Sequence, residues 1–155
     1  MNLIFDIETD DLKATLIHCI VAKEHEGKIH SFGPDKINEG LEFLSKANKL
    51  IGHNILGFDM PVIKKLYGVD LSLGKDIVDT LVLSRLFKPT REGGHSLEMW
   101  GYRLNFHKGE QPQDFTIYNE DMLKYCKVDV QLNELIYNKL REEGSKFSIS
   151  EDSLI

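Results

Sequence analysis

Four carboxylates, Asp6, Glu8, Asp59 and Asp129, each sit on or beside an apolar stripe expected to face the core, and Tyr125 lies one helical turn before the last of them. An uncompensated carboxylate in apolar surroundings costs several kcal/mol, and acids placed together push one another toward protonation. Such a cluster is stable mainly around hard cations held by oxygen. The chemistry it would support is metal-assisted cleavage of phosphodiesters.

Each acid has a plainer reading on its own. Asp6 and Glu8 are two apart on a predicted strand and share one face, with Phe5 and Ile7 on the other, so they can hold a cation or simply mark a solvated strand end. Asp59 precedes Pro61 by two residues and can cap the helix that begins there. Asp129 is harder to explain away, because it stands inside a helical pattern beside Val128 and Leu132, where a lone Asp needs a partner. Tyr125 falls on the same face, with its hydroxyl expected beside Asp129.

The elements that must position these residues are legible from periodicity and turn residues. Residues 2–8, 15–25 and 28–32 read as a three-stranded meander, with Glu26-Gly27 as a turn. Asp35 or Asn38 can cap a helix to about Ala47, and a fourth strand spans 49–53. A helix opening near Pro61 stops at Gly68. Residues 76–87 read as one helix, Ser96 caps a short helix to Leu104, and 105–118 is irregular. Asn119 caps a long final helix whose stripe is Met122, Tyr125, Val128, Asp129, Leu132, Leu135, Ile136 and Leu140. The order β-β-β-α-β-α predicts an α/β fold of ribonuclease-H-like type, a mixed central sheet covered by helices.

With 155 residues, 41% of them hydrophobic, the chain fits one domain over 1–143 with a flexible C-terminal tail at 144–155. Its net charge of −6 argues against binding nucleic acid through a broad basic surface. Residues 85–108 nevertheless carry five basic residues against two acids, either a solvated face or a local phosphate-contacting patch. Cys19 and Cys126 have no metal-ligand or disulfide spacing, and no signal peptide or long apolar run is present, so a cytoplasmic protein without membrane contact is expected. The histidines show no metal-ligand spacing, and Trp100 and Tyr102 read as packing residues of a short helix, or as stacking surfaces if exposed.

Taken together, DIE at 6–8, HNxxxFDxPV at 53–62 and YxxxD at 125–129 resemble the three exonuclease motifs of the DEDD superfamily, and the tyrosine marks the DEDDy branch. DTLVLSRL (79–86), HSLEMWGYRL (95–104) and KGEQPQDF (108–115) are similar to the proofreading domain of phage family A DNA polymerases. The resemblance implies a 3′–5′ exonuclease in which Asp6, Glu8, Asp59 and Asp129 hold two divalent ions, Mg²⁺ or Mn²⁺, and Tyr125 orients the attacking water. It further implies that Thr9 and Leu12 meet the 3′ end, with Leu12 as a wedge or else an ordinary core leucine. Asn54, Phe58 and His95 are the remaining expected strand contacts, Phe58 being equally readable as core. The expected partners are single-stranded DNA or DNA 3′ ends, with a separate polymerase subunit as a further possibility, and the expected state is a monomer. RNA as the substrate, or a binding module without turnover, are the alternatives.

Overall fold

The computed structural model describes residues 1–106 and 109–146. Its organising element is β1 (Asn2–Thr9), whose side chains alternate between two cores. Leu3, Phe5 and Ile7 enter one core, while Ile4 enters the other. β2 (Ile17–Glu24) pairs antiparallel with β1, and β3 (Ile29–Phe32) antiparallel with β2. β4 (Lys49–Gly52) returns parallel to β1 on its other side, giving the mixed sheet that the sequence predicts.

The sheet has a fifth strand that the sequence reading misses. Residues 76–87 are two elements, β5 (Asp76–Asp79) and α3 (Thr80–Phe87), and the sheet order is β3-β2-β1-β4-β5. The boundary falls at Asp79, whose carboxylate caps α3 by accepting from Leu81 N at 3.0 Å. β5 is parallel to β4, with Gly52 opposite Asp79, so two successive carboxyl-end turns of the sheet lie side by side.

α1 (Ile37–Ser45) and α2 (Met60–Tyr67) cover the face bearing Phe5. α1 is entered through a 3₁₀ turn at Pro34–Lys36, so its N-cap is Lys36 and neither Asp35 nor Asn38 caps it with a side chain. Pro61 stands in the first turn of α2, and Gly68 ends it at φ 69°, a left-handed conformation suited to glycine.

The opposite face is covered by α3, α4 (Leu97–Arg103) and α5 (Glu120–Lys146). Ser96 Oγ accepts from Met99 N at 3.1 Å and Asn119 Oδ1 from Met122 N at 2.9 Å, so both predicted caps form. Trp100 locks α4 down: its indole N–H donates to Ser84 Oγ at 3.1 Å, and the Arg91 and Arg103 guanidinium carbons lie 4.7 and 5.0 Å from its ring centroid. Arg91 in turn makes a two-pronged bond to Glu143 at 3.0 and 2.7 Å, tying this corner to the end of α5.

α5 is turned slightly from the predicted stripe. Leu135 is exposed, while Cys126, Asn133 and Tyr137 are buried with Met122, Asp129, Leu132 and Ile136. The helix also runs on through Lys146 with Gly144 buried, which takes residues 144–146 from the expected tail; 147–155 lie outside the described residues. Among the described residues no helix is long and apolar enough to cross a membrane.

Candidate active site

Along the face of β1 that meets α5, buried Ile4 is followed by half-buried Asp6 and Glu8. The strand is irregular between Glu8 and Thr9, where its pairing with β2 shifts register. α5 crosses this acidic stretch and sets Cys126 on it, with Sγ 3.5 Å from Asp6 Oδ2 and 3.6 Å from the Asp6 carbonyl. The ligand atoms of Asp6, Glu8 and Cys126 all lie within 4.8 Å of one another.

Asp59 arrives from the end of β4. Gly52 is required there, because a Cβ would meet Ile55 Cγ2 at 2.2 Å and the Phe5 carbonyl at 3.1 Å. Asn54 follows at φ 61°, and Ile55–Asp59 form a single π-helical turn before α2. That turn carries Asp59 into the interior, where it is 3% exposed. Its side chain does not cap α2; Oδ2 instead accepts from Ile7 N at 3.2 Å, one strand residue from Asp6.

The acids act on one another. Burial, then the charges of Glu8, Asp59 and Asp129, push the Asp6 carboxyl well above the ordinary range. Burial also raises Asp59, to about 7, against the opposing effect of the Ile7 N–H. Crowded acids with raised pKa values form a site whose repulsion a divalent cation would offset. Burial first, and then the neighbouring Cys19 and Asp6, hold the Cys126 thiol well above its usual value. The carboxylate oxygens beside it are the donor type that suits a hard divalent ion.

Asp129 is buried on α5, and Tyr125, one turn earlier, lines two adjoining clefts of about 510 and 410 Å³. Tyr102 and Phe106 line the first of these, and Gln111 lines both. A third cleft of about 370 Å³ brings Glu8, Thr9, Leu12 and Phe58 together with Phe115 and, again, Gln111. Leu12 is 86% exposed and so is not a core residue, whereas Phe58 packs partly against the core and partly lines the cleft.

Asn54 and His95 do not line these clefts. The His95 ring is engaged in the scaffold, Nδ1 with Ser84 Oγ at 2.7 Å and Nε2 with the Pro89 carbonyl at 3.0 Å. Residues that sequence reasoning missed are Cys126, Asp79, Gln111 and Phe115. Asp79 carried a signal at the head of the stretch 79–86, and Gln111 and Phe115 carried one inside 108–115.

The fold is of ribonuclease-H-like α/β type, with a cluster of acids against its central strand. No protein-family model matches the chain. It is 30% identical over 191 aligned positions to the DNA-directed DNA polymerase of Enterobacteria phage T3, and 28% identical to that of Escherichia phage T7; each alignment covers 94% of this chain. The chain spans 27% of the length of these relatives. Among solved structures, NrnC of Brucella melitensis bound to pGG superposes with a TM-score of 0.76 at 18% identity, over 97% of this chain and 76% of that one. The chain is thus similar in sequence to a part of the phage polymerases and shares the fold of NrnC.

Proposed function

We propose that the chain hydrolyses the terminal phosphodiester at the 3′ end of single-stranded or frayed DNA, releasing nucleoside 5′-monophosphates. The observation that carries this reading is the Asp6 carboxyl, acted on at once by Glu8, Asp59 and Asp129, which come from three separate elements. Asp6, Glu8, Asp59 and Asp129 would hold two divalent ions, Mg²⁺ or Mn²⁺. When bound, these supply a water of lowered pKa and offset charge on the departing 3′ oxygen. Tyr125 positions the attacking water through its hydroxyl, which can donate and accept a hydrogen bond. Thr9, Leu12 and Phe58 form the wall against which the terminal nucleotide rests, in the cleft that also contains Glu8. DNA is the favoured polymer because the sequence relatives are DNA polymerases. A DNA polymerase is the partner this reading favours, since the sequence relatives are DNA polymerases.

The test is a time course on a 3′-mismatched primer-template with Mg²⁺, run beside the matching RNA and beside Asp6→Ala. Stepwise shortening of the DNA by wild type, and none by Asp6→Ala, is the expected result. Cleavage that persists in Asp6→Ala overturns the site, and faster loss of the RNA overturns the choice of polymer.

A further inference from the structure

The turn bearing Asp59 and the helix bearing Asp129 are both fastened to one dipeptide at the β5–α3 junction. Asp79 is 4% exposed, and its carboxylate accepts three backbone N–H bonds. Oδ1 takes Asn54 N at 2.8 Å and Leu81 N at 3.0 Å, and Oδ2 takes Leu56 N at 3.0 Å. Two of these donors bracket the left-handed Asn54 and the start of the π turn that delivers Asp59. A buried charge so satisfied at a helix start is stable without a cation partner.

The next residue, Thr80, is fully buried. Its Oγ1 accepts from Asn133 Nδ2 at 2.9 Å, and Asn133 lies one turn beyond Asp129 on the same helix. Thr80 Oγ1 also meets His53 Nδ1 at 2.8 Å and the Gly52 carbonyl at 3.2 Å, which closes the link to the end of β4. His53 Nε2 donates to the His95 carbonyl at 2.8 Å, so its ring is fixed at both nitrogens.

We propose that Asp79 and Thr80 are positioning residues that set the separation of Asp59 and Asp129, and through it the affinity of the acid cluster for divalent ions. The proposal rests on the metal-site reading above but touches neither ion nor substrate directly. In Asp79→Asn an amide nitrogen must face one of the three N–H groups, which releases one end of the π turn. In Thr80→Val the anchors of Asn133 and His53 are lost at nearly constant volume, whereas Thr80→Ser keeps the hydroxyl.

Mn²⁺ titration followed by electron paramagnetic resonance reads ion binding directly, and DNA cleavage against Mg²⁺ concentration reads it through turnover. Asp79→Asn and Thr80→Val are expected to need at least tenfold more Mn²⁺ for half-saturation, with an unchanged KM for DNA, and Thr80→Ser is expected to titrate like wild type. Asn133→Ala, which removes only the amide reaching Thr80, is expected to shift in the same direction and serves if the other two do not fold. Wild-type Mn²⁺ titrations in the folded variants overturn the proposal, as does a Thr80→Ser variant as impaired as Thr80→Val, or a wild type that binds no Mn²⁺. A wild type that binds Mn²⁺ but cuts no DNA defeats the exonuclease reading alone, because the ion titrations still decide the role of Asp79 and Thr80.

Discussion

Tyr125 is the residue whose removal separates positioning from binding. In Tyr125→Phe the ring still lines its two clefts and only the hydroxyl is lost, so turnover falls roughly 10- to 100-fold while Mn²⁺ affinity stays at wild type. Single-turnover rates with a parallel ion titration check this. At Asp59 the consequence is one of stability. An acid whose pKa is raised by folding, here from 3.8 to about 7, contributes fully below the lower value and loses that contribution as pH rises through the upper one. The metal-free protein therefore loses up to about 4 kcal/mol between pH 4 and 7 through Asp59, and Asp6 acts in the same direction. Asp59→Asn flattens this slope and melts higher than wild type at pH 8 in EDTA, which thermal melts at a series of pH values measure. That Asp6, Glu8, Asp59 and Asp129 would lie near one another was legible in the sequence only from their joint spacing and the motifs they resemble. Cys126 was not, since its place against Asp6 arises only where α5 crosses β1.

Among the elements, α4 depends most on one side chain. Trp100 is 2% exposed, bonded to Ser84 and contacted by two guanidinium groups, so Trp100→Ala removes packing, a hydrogen bond and two cation–π contacts together. A loss of about 3–5 kcal/mol is expected, read as a lower urea midpoint. The β5–α3 pair shows why an element can stay hidden. Ile77, Val78, Leu81 and Leu83 form a nearly continuous apolar run with no glycine or proline inside it, and a buried parallel strand has the same signature as a buried helix. The chain changes from strand to helix at Asp79, a residue type common inside neither, and its role as a cap was the clue available. The meander, by contrast, was readable because β1 and β2 are eight residues each and rich in aliphatic side chains, with a turn between β2 and β3. The extra helical residues 144–146 follow from Gly144 finding a buried site, a tertiary effect that glycine's low helix propensity conceals.

On the scale of the whole molecule, the acid cluster is a point of internal repulsion that ligand binding relieves. Adding Mg²⁺ or Mn²⁺ at pH 8 is expected to raise the melting temperature, by the equivalent of about 2.7 kcal/mol at a hundredfold excess over Kd, and to leave Asp6→Ala unmoved. Differential scanning calorimetry with and without EDTA decides it. The layered architecture also orders events in time. Asp6 and Glu8 lie on the first strand, at the middle of the sheet, while Tyr125, Cys126 and Asp129 lie on the last helix, which seals one face of it. More than a hundred residues of chain must be synthesised between the two halves of the cluster, and contacts so distant in sequence form late. A nascent chain still short of α5 therefore carries Asp6, Glu8 and Asp59 without Asp129, with the α5 face of the sheet uncovered, so the proposed ion site is incomplete until α5 docks.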